Sequence, residues 1–124
     1  MTRKVATRKV ATAAIRNDRQ PAVAYKVLTK EQFADWQTEG SFRGSPVDLA
    51  DGYIHLSTAD QLQATLDKHF DGQTGLVVAE VDLTALGDTL RWEPSRGGAP
   101  FPHVYGDLPL AALLGTRESS LRIT

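Results

Sequence analysis

Twice in this chain a strand-like run ends on a threonine followed three residues later by a glutamine: Leu28-Thr29-Lys30-Glu31-Gln32 and Leu56-Ser57-Thr58-Ala59-Asp60-Gln61. In this spacing the threonine hydroxyl accepts from the backbone N–H at the third helical position, and the glutamine reaches back to the threonine N–H, so two otherwise orphaned donors are satisfied together. Each motif therefore predicts a strand-to-helix switch at a defined residue. Ahead of the first, residues 22–28 are rich in strand-forming types; after it, Leu28 and Phe33 are spaced as a hydrophobic staple, Phe33, Trp36 and Gln37 fall on one helical face, and Gly40 is placed to end the helix in a left-handed cap. Ahead of the second, Tyr53-Ile54-His55-Leu56-Ser57 alternates, with Ile54 and Leu56 on one side and Tyr53, His55 and Ser57 on the other. Leu62, Leu66 and Phe70 then form the stripe of a second helix, closed by Asp71-Gly72. In 124 residues, 41% apolar and 23% charged, two such switches fit one compact domain.

The remaining segments fill in the class. Residues 41–52 (SFRGSPVDLADG) are dense in turn-forming types and read as a loop. Residues 76–83 (LVVAEVDL) read as a central strand with Val77, Ala79, Val81 and Leu83 toward the core, and Thr89 to Glu93 as a short strand. Residues 94–109 look loop-like, and Leu110 to Leu114 look like a buried element of either type. The expectation is a single small α+β domain over 21–124, with a mixed or mainly antiparallel sheet and two helices. Residues 1–20 read as a basic extension, carrying Arg3, Lys4, Arg8, Lys9, Arg16 and Arg19 against Asp18 alone, with Thr-Arg-Lys-Val-Ala repeated in tandem. Three accounts of it stay open: a nucleic-acid or anionic-surface arm, a transit-like peptide, or solvated charge without a role. Nucleic acid is expected only through this extension, because the rest of the chain is acidic. No apolar run reaches the length of a membrane span, and no secretory apolar region follows the basic residues, so the default location is the cytoplasm. The absence of cysteine excludes thiolate nucleophiles, disulfides and cysteine-ligated zinc.

Three segments concentrate reactive side chains: Tyr53 to Thr58, Arg91-Trp92-Glu93, and Phe101-Pro102-His103-Val104-Tyr105-Gly106. Nothing in the sequence requires them to meet. If they do, two imidazoles, a carboxylate and several hydroxyls suffice for proton transfer or for holding a polar ligand. His55 projects from a strand just before a helix N-terminus, as a donor to phosphate or ribose oxygens or as a half-buried histidine satisfied by a backbone carbonyl. Ser57 and Thr58 are candidate ligand contacts, with Thr58 also the helix cap. In extended backbone Phe101, His103 and Tyr105 share a face, forming a wall for a flat ring or merely packing the segment down. Glu93 is a candidate general base or cation stabiliser, or an exposed edge-strand carboxylate. His69 is read as a favourable charge at a helix C-terminus. A second chemistry is a metal site of His55, His103 and Glu93, and a third reading is a binding domain without turnover. Dinucleotide, phosphate-loop and zinc-protease signatures are missing, and Gly97-Gly98 alone is weak.

The segments Asp51-Gly52-Tyr53-Ile54-His55-Leu56-Ser57-Thr58-Ala59-Asp60-Gln61 and Phe101-Pro102-His103-Val104-Tyr105-Gly106 together resemble the family of domain of unknown function 952, over about Ala24 to Leu114. The resemblance implies an ADP-ribosyltransferase-like fold. Tyr53-Ile54-His55-Leu56 also resembles the Ile-His-Leu strand of RNA 2′-phosphotransferases, which share that fold and use NAD. Of their functional residues, His55 alone carries over by position, with Glu93 or Glu118 as candidates for the catalytic glutamate. What this implies is a small-molecule or nucleotide-like ligand, NAD as the cofactor, and a site with His55, Glu93 and His103 as catalytic residues and Tyr53, Ser57, Thr58 and Tyr105 as binding residues. Glu93 would stabilise a cationic ribose, His55 would hold ribose or phosphate oxygens, and Tyr53 or Tyr105 would stack on nicotinamide.

Overall fold

The computed structural model describes residues 21–95 and 98–118; the basic extension with its repeat, and Gly97, lie outside the described residues. In chain order the elements are β1 (Val23–Leu28), α1 (Lys30–Glu39), β2 (Ser41–Phe42), α2 (Pro46–Asp51), β3 (Ile54–His55), α3 (Ala59–His69), β4 (Val77–Asp82), β5 (Leu90–Ser95), β6 (Ala99–Val104), β7 (Leu108–Pro109) and β8 (Leu113–Glu118). Both threonine boxes form. Thr29 Oγ1 accepts from the Gln32 N–H at 3.0 Å while Gln32 Oε1 accepts from the Thr29 N–H at 2.9 Å; the Thr58 and Gln61 pair repeats this at 3.3 and 3.1 Å. Gly40 ends α1 at φ 86°, as its spacing predicts.

The expected two helices are three, because residues 46–51, read above as loop, form α2. The reason lies in the same residue types that make turns. Pro46 takes the first helical position, where its missing N–H costs nothing, and the Asp48 carboxylate reaches back to the Ser45 N–H at 2.8 Å. The segment 94–109 is likewise not loop throughout, since β6 is the middle strand of a sheet despite Pro100 and Pro102. In a strand the N–H and C=O of one residue point to the same side. The Pro102 carbonyl accepts from the Leu56 N–H and the Pro100 carbonyl from the Gln61 side chain. Both missing N–H groups therefore fall on the side of β3, where the ladder is two residues long, and pairing with β5 continues from Leu90↔Val104 to Ser95↔Ala99. The undecided segment at 110–114 is a single 3₁₀ turn, Leu110–Ala112, running into β8.

All strand pairings among the described residues are antiparallel, in two three-stranded sheets, β1-β4-β8 and β3-β6-β5, and a β2-β7 pair. A bridge between Tyr25 and Ser57, hydrogen-bonded in both directions at 2.7 and 2.9 Å, ties the larger sheets together. On one face of β4, Val77, Ala79 and Val81, with Leu83 just past the strand's end, enter a core with Trp36, Phe42, Ile54, Leu56, Val104 and Leu108. On the other, Val78 joins Val27 and Leu76 against Leu62 and Leu66 of α3. Among the described residues no helix is long and apolar enough to cross a membrane. The architecture is thus a small α+β domain of antiparallel sheets and three helices.

Candidate functional site

The two-residue period of the β3-β6-β5 sheet assembles the site. Ile54 opposes Val104 and His55 opposes His103, so the aliphatic pair turns to the core while the imidazoles share the other face. On that face the three segments singled out in the sequence do meet. Tyr53 stacks on His103 with centroids 4.2 Å apart, and lies 4.7 Å from the His55 ring and 5.2 Å from Tyr105. The His55 and His103 rings are 5.5 Å apart, edge to face.

Each histidine is held by a carboxylate. His103 Nδ1 lies 2.6 Å from Glu93 Oε1, which also accepts from the Tyr105 hydroxyl at 2.9 Å. This places the Nδ1 proton toward Glu93. His103 lines the cleft, and with Nδ1 on Glu93 its Nε2 is the ring nitrogen without a side-chain bond among the described residues. The hydrogen bond from His103, then that from Tyr105, holds the Glu93 carboxyl below its ordinary range; the same Glu93 bond leads in pushing the Tyr105 phenol above its own. His55 Nδ1 lies 2.6 Å from Asp48 Oδ1, and its Nε2 lies 2.9 Å from Asp51 Oδ2. Thus both ring nitrogens face carboxylates of α2, not a backbone carbonyl.

Asp48 is the hub of this arrangement and was not visible as a site residue in the sequence. Its side chain is 1% exposed, and besides His55 Nδ1 it accepts from Lys26 Nζ at 2.8 and 3.1 Å, the His55 N–H at 3.1 Å and the Ser45 N–H at 2.8 Å. Burial pushes the Asp48 carboxyl up, but the His55 bond, the Lys26 charge and the other donors outweigh it and hold it well below the carboxylate range. Burial pulls the Lys26 ammonium down against the opposing pull of Asp48. Lys26 also donates to the His55 carbonyl at 3.1 Å. Gly44 makes the close approach possible: a Cβ there would stand 3.0 Å from the Asp48 Cβ, and its φ of 129° is one that side chains disfavour. Lys26 and Asp51 were missed as well. The signal for Lys26 was present, because Ala24, Lys26 and Leu28 share one face of β1 and both neighbours are fully buried; a charge there must be paired.

A cleft of about 650 Å³ opens beside the imidazoles, lined from both large sheets and from all three helices or their caps. His55, His103, Tyr53, Ser57 and Asp51 form one end; Val27, Phe70 and Phe101 supply apolar wall; Lys68 and His69 belong to the last turn of α3. Glu93, Tyr105 and Thr58 are not in the lining. Glu93 bonds His103 and is itself held by the Tyr105 hydroxyl, the Thr58 hydroxyl is committed to the helix cap, and Ser57 bonds to Thr65 at 2.7 Å. Glu118 is remote from the site on β8, 3.9 Å from Lys30. Nor do His55, His103 and Glu93 converge as metal ligands: both His55 nitrogens turn to α2, and among the described residues no group of three or more such side chains is placed to hold a metal ion.

The family model described as Protein of unknown function (DUF952) matches residues 27–116. No curated protein matches the chain. Among solved structures, the crystal structure of protein CC0527 from Caulobacter crescentus is similar at 44% identity and a TM-score of 0.75, covering 77% of this chain and 84% of that one. Its solution NMR structure is similar at 43% identity and a TM-score of 0.70, covering 79% and 84%. A match spanning both histidine segments, with close structural relatives at this identity, makes the chain a member of the family described as Protein of unknown function (DUF952).

Proposed function

We propose that the cleft binds a nucleotide-like ligand of the NAD or ADP-ribose class, in an ADP-ribosyltransferase-like arrangement, and that His103 moves a proton of the bound substrates. The observation that carries this reading is the facing pair of imidazoles, each with Nδ1 on a carboxylate, at one end of a cleft of ligand size. A histidine whose Nδ1–H is committed to a carboxylate presents Nε2 as an acceptor, which is the state a general base needs. Glu93 is a positioning residue in this scheme, since it reaches the substrate only through His103. With NAD bound, the bond from C1′ to the nicotinamide nitrogen breaks, the electron pair leaves on the ring as neutral nicotinamide, the acceptor oxygen bonds to C1′, and His103 Nε2 takes the acceptor's proton. Tyr53, stacked on His103 and tilted against His55, lines the cleft beside them.

The test is calorimetry with NAD and ADP-ribose on wild type, His55→Ala, His103→Asn and Glu93→Gln, with nicotinamide release followed by chromatography. Expected are binding by wild type, loss of binding in His55→Ala, and retained binding without release in His103→Asn. Binding that Glu93→Gln leaves unchanged, with no release by wild type in the presence of varied acceptors, supports the non-catalytic binding domain instead. No heat with either ligand at millimolar concentration overturns the reading.

A further inference from the structure

We infer that Asp51 selects the ligand at the His55 end of the cleft, admitting a hydroxyl-bearing sugar and rejecting a phosphate there. The inference rests on the function proposed above and narrows its substrate class to ribosyl ligands without a phosphate on the sugar that contacts His55. Two carboxylates reach this imidazole, and they differ in kind. Asp48 is buried and matched by Lys26, whose ammonium is committed to both Asp48 oxygens and to the His55 carbonyl. Asp51 lines the cleft with its side chain 45% exposed and has His55 Nε2 as its partner at 2.9 Å. Lys26 therefore offers no charge to offset Asp51. A phosphate approaching Nε2 must displace the Asp51 carboxylate or sit against its charge. A sugar hydroxyl approaching the same place donates to Asp51 and accepts from the ring. This is the general logic by which a carboxylate reads a ribose hydroxyl and an arginine reads a phosphate in its place.

Of the basic residues in the lining, Lys26 is committed to Asp48, and Lys68 and His69 stand in the last turn of α3, one turn beyond Thr65, whose hydroxyl bonds Ser57 at 2.7 Å.

Two titrations test this on the full chain, with wild type and Asp51→Asn. In the first, inorganic phosphate is added while the imidazole resonances are followed by NMR, His55 being assigned through His55→Ala. The His55 signals of wild type stay in place, and those of Asp51→Asn move. In the second, wild type binds ADP-ribose at least about tenfold more tightly than an analogue phosphorylated on the ribose that does not bear adenine, and Asp51→Asn narrows the ratio. Phosphate that moves His55 equally in both proteins, or that phosphorylated analogue bound as well as the plain ligand by wild type, overturns the inference. If neither nucleotide binds while phosphate still separates wild type from Asp51→Asn, the ligand class proposed above falls and the selective role of Asp51 stands.

Discussion

Replacing Asp48 by asparagine removes one charge from the most connected side chain of the site. The carboxylate accepts from Lys26, from His55 twice and from Ser45. An amide keeps one acceptor oxygen and turns an N–H₂ toward one of those donor groups. The larger effect falls on Lys26, 6% exposed, which is left as a buried ammonium without a counter-charge. Breaking a buried pair by removing one partner costs about 3–5 kcal/mol, against total stabilities of about 5–15 kcal/mol for domains of this kind. Asp48→Asn is therefore expected to lose a large share of the unfolding free energy measured by urea denaturation. Lys26→Met alone leaves the buried Asp48 charge without its ammonium partner and is also costly, but Lys26→Met with Asp48→Asn removes both charges and costs less than the singles combined, by about 2 kcal/mol or more in a double-mutant cycle. The pH dependence follows from the direction of the Asp48 shift. Its carboxyl is depressed in the native state, so its stabilisation is complete above the unfolded-state value near pH 4 and is lost as pH falls below that toward the native value. The stability gap between wild type and Asp48→Asn should hold from neutral pH to about pH 5 and shrink under stronger acid. A single-mutant cost below about 1 kcal/mol, or strict additivity, would refute a buried ion pair as the anchor of α2.

Two further outcomes separate structural from ligand-facing roles. Thr58→Ala removes the α3 cap and should cost about 1 kcal/mol in urea denaturation without changing the affinity for ADP-ribose; a loss of affinity with unchanged stability would return Thr58 to the ligand. Glu93→Gln replaces the charged acceptor that holds the Tyr105 phenol above its ordinary range with a neutral amide. The ultraviolet titration of the three tyrosines should then lose its late component, and a profile unmoved from wild type would contradict the Glu93–Tyr105 bond.

How much was legible in the sequence depends on whether the signal was local. The threonine boxes act within four residues, and both start their helices at the expected position. The alternation in Tyr53 to Ser57 and Phe101 to Tyr105 is local too, and it assigns each histidine to a polar face. What no local pattern contains is the register, His55 opposite His103, which turns two separate faces into one site. The third helix was hidden because serine, proline and aspartate serve both turns and helix starts, and only the Asp48 bond to the Ser45 N–H distinguishes them. Lys26 was the readable clue to the missing partner. A lysine in step with Ala24 and Leu28 has nowhere to go but the interior, and an interior ammonium demands a carboxylate.

The same reasoning explains why the two histidines are not equivalent. His103 belongs to the middle strand of its sheet and is fixed by Glu93 on the neighbouring strand, so its ring is set by paired backbone on both sides. His55 sits on a two-residue strand and takes its orientation from α2, a six-residue helix held to the body through Asp48. Rigid placement suits the group that must meet a reacting proton, while the half-exposed Asp51–His55 contact is the one a ligand can enter without disturbing buried charge. On that division, a conservative change at Glu93 should alter turnover more than affinity, and one at Asp51 should alter which ligand is held.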